Sequence, residues 1–136
     1  MGGPESEDMD ETLSAQITAK LIGSYMKMVR DAQHEQDIQK LARDLRQVMT
    51  RHVWQTVELP PLRQREAGSN NHVIQVVFLV NDQVLVLLLK VVHLRSREWA
   101  TLERLLAGTH CTVGLVLNFG SRTPEFWRIQ KDAEKE

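Results

Sequence analysis

Residues 84–92 read VLVLLLKVV, with an apolar side chain at every position except Lys90. Successive side chains of a β-strand point to opposite faces, so this run is apolar on both. Such a strand belongs in the middle of a sheet that is covered on each side. The chain must therefore supply a second strand to flank this one and helices for both faces. A flank lies immediately upstream: His72–Val80 is a second β-rich run, separated from the first by Asn81-Asp82-Gln83. A short polar turn between two such runs predicts an antiparallel hairpin.

The helices are equally visible. Leu13, Ile17, Leu21, Ile22, Tyr25, Met28 and Val29 recur in steps of three and four, the spacing of an amphipathic helix. A polar stretch, Asp31 to Asp37, separates it from a second such pattern at Ile38, Leu41, Leu45, Val48 and Met49. Alternation at Val53–Leu59, stopped by Pro60-Pro61, predicts a strand, and the polar residues 62–71 a loop. Trp99, Leu102, Leu105 and Leu106 mark a third helix, stopped by Gly108. Thr112–Asn118 is another buried strand, and Phe126–Ile129 a final edge strand. The order α-α-β-β-β-α-β-(β) predicts a single three-layer α/β domain at residues 13–130, a mixed sheet flanked by helices. The β-α-β crossover makes its two strands parallel.

Charge divides the chain unevenly. Glu5, Glu7, Asp8, Asp10 and Glu11 fall within residues 1–12, which contain no base and have the composition of a disordered acidic arm. The remainder holds 17 bases and 13 acids, a mildly basic body. Residues 131–136 form a charged tail. The acidic opening has neither the basic region of a secretory signal nor the arginines of a transit peptide. Val76–Val92 is too short and too polar at its centre to span a bilayer. A nuclear or cytoplasmic protein that does not enter a membrane is expected. The single cysteine, Cys111, excludes an intrachain disulfide and fits a reducing compartment.

The chemistry-bearing residues are sparse. Five histidines sit on separate elements without metal-ligand spacing, so neither a metal nor another cofactor is expected. Gly120-Ser121 follows a buried strand, but no nucleophile elbow surrounds it. No Gly-rich phosphate loop is present.

Four segments carry a resemblance: ITAKLIG at 17–23, Val53–Pro60, LVNDQVLV at 79–86 and VGLVLNFG at 113–120, the last followed by Arg128-Ile129. Together they resemble the GxxExxY-type proteins, a branch of the PD-(D/E)XK nuclease-like superfamily, over most of residues 13–130. The resemblance implies a restriction-endonuclease-like sheet. It also implies a site in which an Asp and a Glu hold a divalent metal, with a Lys beside the attacking water and a Gln on the next helix. Aligned without gaps, those positions fall at Val77, Leu87, Leu89 and Thr101, and none keeps the family residue. A register moved by one residue recovers Lys90 but puts Phe78 and Leu88 where the acids should be. The family's Gly-rich segment is also lost. Asp31–Asp37 has no glycine, and only Glu35 or Asp37 stands near the family's Glu. A migrated site built from Glu35, Asp37, Asp82 and Lys90 is not expected to converge, because Asp82 and Lys90 lie at opposite ends of one strand.

The expectation is a non-enzymatic domain that serves as a subunit or interaction module, with a protein partner or a second copy of itself. The alternative is nucleic-acid binding without cleavage through clustered arginines, with Arg95, Arg97 and Arg104 as the candidate contacts and Arg43, Arg46, Arg51, Arg63 and Arg65 as further clusters.

Overall fold

A computed structural model of the chain describes residues 3–31, 38–59, 62–65, 71–121 and 123–131. The elements are α1 (Gly3–Asp31), α2 (Ile38–Arg51), β1 (Thr56–Glu58), β2 (Leu62–Arg65), β3 (Asn71–Val80), β4 (Val84–Leu89), α3 (Ser96–Ala107), β5 (Val113–Asn118) and β6 (Glu125–Gln130). The strands form one six-stranded sheet in the order β1-β3-β4-β5-β6, with β2 also paired to β3. β4 and β5 run parallel, joined through α3, and the other pairings are antiparallel. The three-layer α/β architecture with a mixed sheet is thus present.

β4 is the centre of this arrangement, and all six of its residues are buried. Val84, Val86 and Leu88 pack with Val113, Leu115, Leu117, Phe78 and the apolar faces of α1 and α2. Leu85, Leu87 and Leu89 point the other way, into a cluster with Val77, Val116 and with Leu102 and Leu106 of α3. β5 is buried along its length in the same manner. Gly114 faces α3, where a Cβ would stand 3.1 Å from Leu102 and 3.0 Å from Ile129, so helix and strand approach closely there.

The β3–β4 hairpin forms where the polar turn predicts it. Asn81 and Asp82 both adopt left-handed backbone (φ 53° and 54°), and the Gln83 amide donates to the Val80 carbonyl at 3.0 Å. This is the turn whose twist matches a hairpin, and Asn and Asp tolerate it well. The turn is also tied to the chain entering β1: Asn81 exchanges a backbone bond with Gln55 and accepts the Gln55 amide on its side chain.

Four boundaries differ from the sequence expectation. α1 begins at Gly3, so it takes in the acidic stretch set apart above as an arm. Part of the expected 62–71 loop is strand: β2 pairs with β3 through Leu62↔Gln75 to Arg65↔Asn71. β4 ends at Leu89 rather than Val92, because the Val91 amide is captured by the side chain of Asn118. The expected strand from Val53 shrinks to Thr56–Glu58, because Val53 closes α2 instead. Pro60, Pro61, residues 32–37 and the tail 132–136 lie outside the described residues. Among the described residues, no helix is long and apolar enough to cross a membrane.

The end of α2 is a Schellman cap with an unusual residue in it. The Val53 amide donates to Thr50 (2.9 Å) and the Trp54 amide to Met49 (3.1 Å), while Val53 sits at φ 60° and is 88% exposed. Glycine ordinarily occupies this position, because a Cβ crowds the following carbonyl in left-handed backbone. A β-branched side chain is among the least suited, and this one is exposed rather than packed. Val53→Gly should therefore stabilise the protein by about 1 kcal/mol, read as a higher denaturation midpoint at an unchanged denaturant slope.

Candidate functional site

Two regions bear on function: the strand positions that the nuclease pattern would use, and a polar junction where β4, β5, β6 and α1 meet.

The first is closed by hydrocarbon. Val77 and Leu87 are direct cross-strand partners, and Leu89 lies opposite Gln75 one step along the same face. Val77, Leu87 and Leu89 are 4%, 0% and 6% exposed, all within the cluster under α3. The hairpin thus brings the three strand positions together, as the resemblance requires, but no oxygen or nitrogen side chain is among them. Thr101 stands on α3, where its hydroxyl donates to the Arg97 carbonyl of its own helix at 3.0 Å. The alternative register fares no better. Phe78 and Leu88 point to the α1–α2 face and are fully buried there. Asp82 is exposed in the hairpin turn at the opposite end of β4 from Lys90, while Glu35 and Asp37 lie outside the described residues. Each of these alkyl groups contributes hydrophobic stabilisation of roughly 1.5–3 kcal/mol where an ionised group would pay desolvation.

The arginines are spread rather than gathered. Arg95 occupies the N-cap of α3, with its amide donating to Glu98 Oε1 at 2.8 Å. Arg97 is 88% exposed, with its Nε 3.6 Å from Glu98. Arg104 lies in the last turn of α3, about 13 Å along the axis from the cap at 1.5 Å per residue. All three are exposed. Arg46 of α2 is paired to Glu58 at 3.3 Å.

No local sequence pattern announces the polar junction, although Asn118-Phe119-Gly120, which builds it, closes the VGLVLNFG segment that carries the resemblance. Asn118 ends β5 and is fully buried. Its Oδ1 accepts the amides of Val91 (3.0 Å) and Gly120 (2.9 Å), and its Nδ2 donates to Glu125 Oε1 at 3.2 Å. The amide thereby turns the chain out of both parallel strands at once. Phe119 meets Tyr25 edge-on, with ring centroids 5.1 Å apart. Gly120 then passes so close to the β4 exit that a Cβ would lie 2.4 Å from the Val91 carbonyl oxygen. Each residue of the block has a separate physical reason to be what it is.

Tyr25 completes the junction from α1. Its hydroxyl lies 2.6 Å from the Asn118 carbonyl and 2.8 Å from that of Glu125, and it accepts the Glu125 amide at 2.8 Å. It therefore stands in for the last rung of the β5–β6 ladder. Burial pushes the Tyr25 hydroxyl above its usual range, which keeps the proton that the bond to Asn118 needs. Glu125 accepts the Leu94 amide at 2.9 Å and lies 3.0 Å from His93 Nδ1. The bond from His93, then that from Leu94, holds the Glu125 carboxyl below its usual value. A shallow cleft of about 300 Å³ adjoins this point, lined by Leu94, Pro124, Glu125, Phe126 and Trp127. Both Glu125 oxygens are engaged, Oε1 by Leu94 and Asn118 and Oε2 by the exposed His93 at the surface.

Among the described residues, no group of three or more His, Cys, Asp or Glu side chains is placed to hold a metal ion. Cys111 is buried, and burial raises its thiol pKa, so it stays protonated rather than nucleophilic. No family model, curated protein or solved structure matches the chain. The geometry alone carries the reading.

Two outcomes follow at the junction. Gly120→Ala should cost about 1–3 kcal/mol as its Cβ displaces backbone at Val91, whereas Gly108→Ala, with its nearest neighbour at 3.6 Å, should leave the denaturation midpoint nearly unchanged. Glu125 is held ionised in the fold below the pH at which a free glutamate (pKa 4.5) takes up its proton. Its contribution is complete above that value and is lost as the pH falls through the depressed one. Glu125→Gln should lower stability at neutral pH and flatten the loss on acidification below about 4.5, as measured by denaturation at a series of pH values.

Proposed function

We propose that this chain is a non-catalytic domain on a PD-(D/E)XK nuclease-like scaffold, and that it works by binding, as a subunit of a larger assembly. The observation that carries the reading is the apolar closure at Val77, Leu87 and Leu89 beneath α3. A hard divalent cation is held by several oxygen ligands. Three alkyl side chains at the strand positions of the nuclease pattern supply none, and all three are buried under α3. Free of the demand for buried charge, these positions drift toward the hydrophobic optimum for a doubly covered strand. The order of helices and strands, with a parallel pair at the centre and a hairpin before it, is consistent with the scaffold that the resemblance implies.

A second reading keeps nucleic acid as the ligand without cleavage, supported by the exposure of Arg95, Arg97 and Arg104. Their separation along α3 favours scattered phosphate contacts over a formed site.

The reading predicts that purified protein does not cleave single- or double-stranded DNA or RNA with Mg²⁺ or Mn²⁺ present, and that neither ion raises its melting temperature. Cleavage that requires the metal, co-purifies with the folded protein and stops with chelator would overturn it.

A further inference from the structure

The two sides of the sheet are finished differently. On one side β1 has three residues and β2 shifts register beside Leu62, the short and irregular ends by which sheets discourage further pairing. On the other side β6 runs six residues in unbroken register with β5, and among the described residues no strand pairs with its outer edge. The helices stay inboard of it, α1 packing over β4 and β5 and α3 over β5. The Lys131 amide donates to the Thr112 carbonyl at 2.7 Å, which sets the phase of the β5–β6 ladder. Bonds in an antiparallel pair alternate, so Glu125, Trp127 and Ile129 face β5, while Phe126, Arg128 and Gln130 turn their amides and carbonyls outward. Such a row of donors and acceptors is a template for one more strand.

The side chains of β6 say which strand fits. Phe126, Arg128 and Gln130 are exposed on the α1 side, where Phe126 meets Tyr25 edge-on and Arg128 Nε donates to Thr18 Oγ1 at 3.3 Å. Trp127 and Ile129 lie on the α3 side, with the Trp127 ring edge-on to Trp99 at 5.3 Å between centroids. Two copies of β6 pair antiparallel only about a two-fold axis perpendicular to the sheet, which sets residues of one face opposite residues of the same face. Centring that axis on Arg128 puts two guanidinium groups directly opposite each other, a destabilising pair. Centring it on Phe126 pairs Arg128 with Pro124, which has no N–H to give. Centring it on Trp127 sets Phe126 of each copy opposite the partner's Arg128, ring against cation, and the contact is made twice. The two Trp127 rings then meet at the axis, each already braced by Trp99. The strand is complementary to itself in this one register.

We infer that the outer edge of β6 is the docking site for a second copy of this chain, paired antiparallel about Trp127, so that the sheets of the two copies become one continuous sheet. The inference names a partner for the binding module proposed above. It rests on that reading only for its role, since a dimer of this form is independent of whether the sheet is catalytic, and nuclease assay and sedimentation report the two separately.

The test uses the full-length protein in sedimentation velocity at micromolar concentration, where wild type should be a dimer. Arg128→Pro removes an outward N–H and leaves the β5 ladder whole, because that amide takes no part in it. It strips two of the four main-chain bonds between Phe126 and Arg128 across the axis and should weaken dimerisation by about thirtyfold. Phe126→Arg sets like charge on like twice and should be monomeric, while the exchanged variant Phe126→Arg/Arg128→Phe should regain the dimer mass. Circular dichroism melts show that the variants are folded. Hydrogen exchange on wild type itself gives a readout free of substitution: the Phe126 and Arg128 amides should be protected at dimer concentration and lose that protection on dilution. A wild type that sediments as a monomer overturns the inference, as does a dimer in which those two amides exchange freely. A monomer that selects linear peptides from a displayed library, and loses them with Arg128→Pro, would give the edge to a different chain instead.

Discussion

Covering β4 on both faces is the constraint from which the rest of the architecture follows. A strand made only of valines and leucines gains nothing from a wet face, so α1 and α2 must close one side and α3 the other. α3 reaches its side because it is the crossover between β4 and the parallel strand β5. β5 inherits the same double burial, and the antiparallel outer strands, β1 and β2 beyond β3 on one side and β6 on the other, then carry the transition to solvent. In β6 this is visible as alternation between half-buried and exposed positions along the strand.

The end of the parallel pair is where many α/β proteins build a binding crevice. Here that place is filled by structure. Asn118 captures the backbone of both exits, Tyr25 replaces the last rung between β5 and β6, and Glu125 fastens the 91–94 segment to β6. The side-chain hydrogen bonds of Asn118 and Tyr25 at this end are thus all made within the fold. At the strand ends these polar groups hold the sheet together, and at the hairpin Val77, Leu87 and Leu89 do so by packing under α3.

Most of the core was legible in the sequence because hydrophobic periodicity and burial are the same fact seen twice. The hairpin turn, the two doubly buried strands, α3 with its stop at Gly108 and the edge strand β6 all follow from it. β2 was not legible: Leu-Arg-Gln-Arg shows no alternation, and its strand state comes from pairing with β3. Val53 hid the end of α2, since a valine gives no sign of left-handed backbone and fits the alternation of a strand. The placement of Val77, Leu87 and Leu89 on one face was readable from strand parity. The His93–Glu125 and Tyr25–Asn118 contacts join residues 32 and 93 positions apart, and no local pattern announces such pairs.

Native-state hydrogen exchange tests most directly the claim that β4 is sealed on both faces. The amides of Val84–Leu89 and of the paired Val113–Leu117 should exchange only through global unfolding, with the free energy obtained from denaturant melts. Exchange of the Leu87 and Leu89 amides through a local opening several kcal/mol below that value would contradict the account. It would show instead that the α3 face opens as a cleft, as a surviving active site beneath it would need.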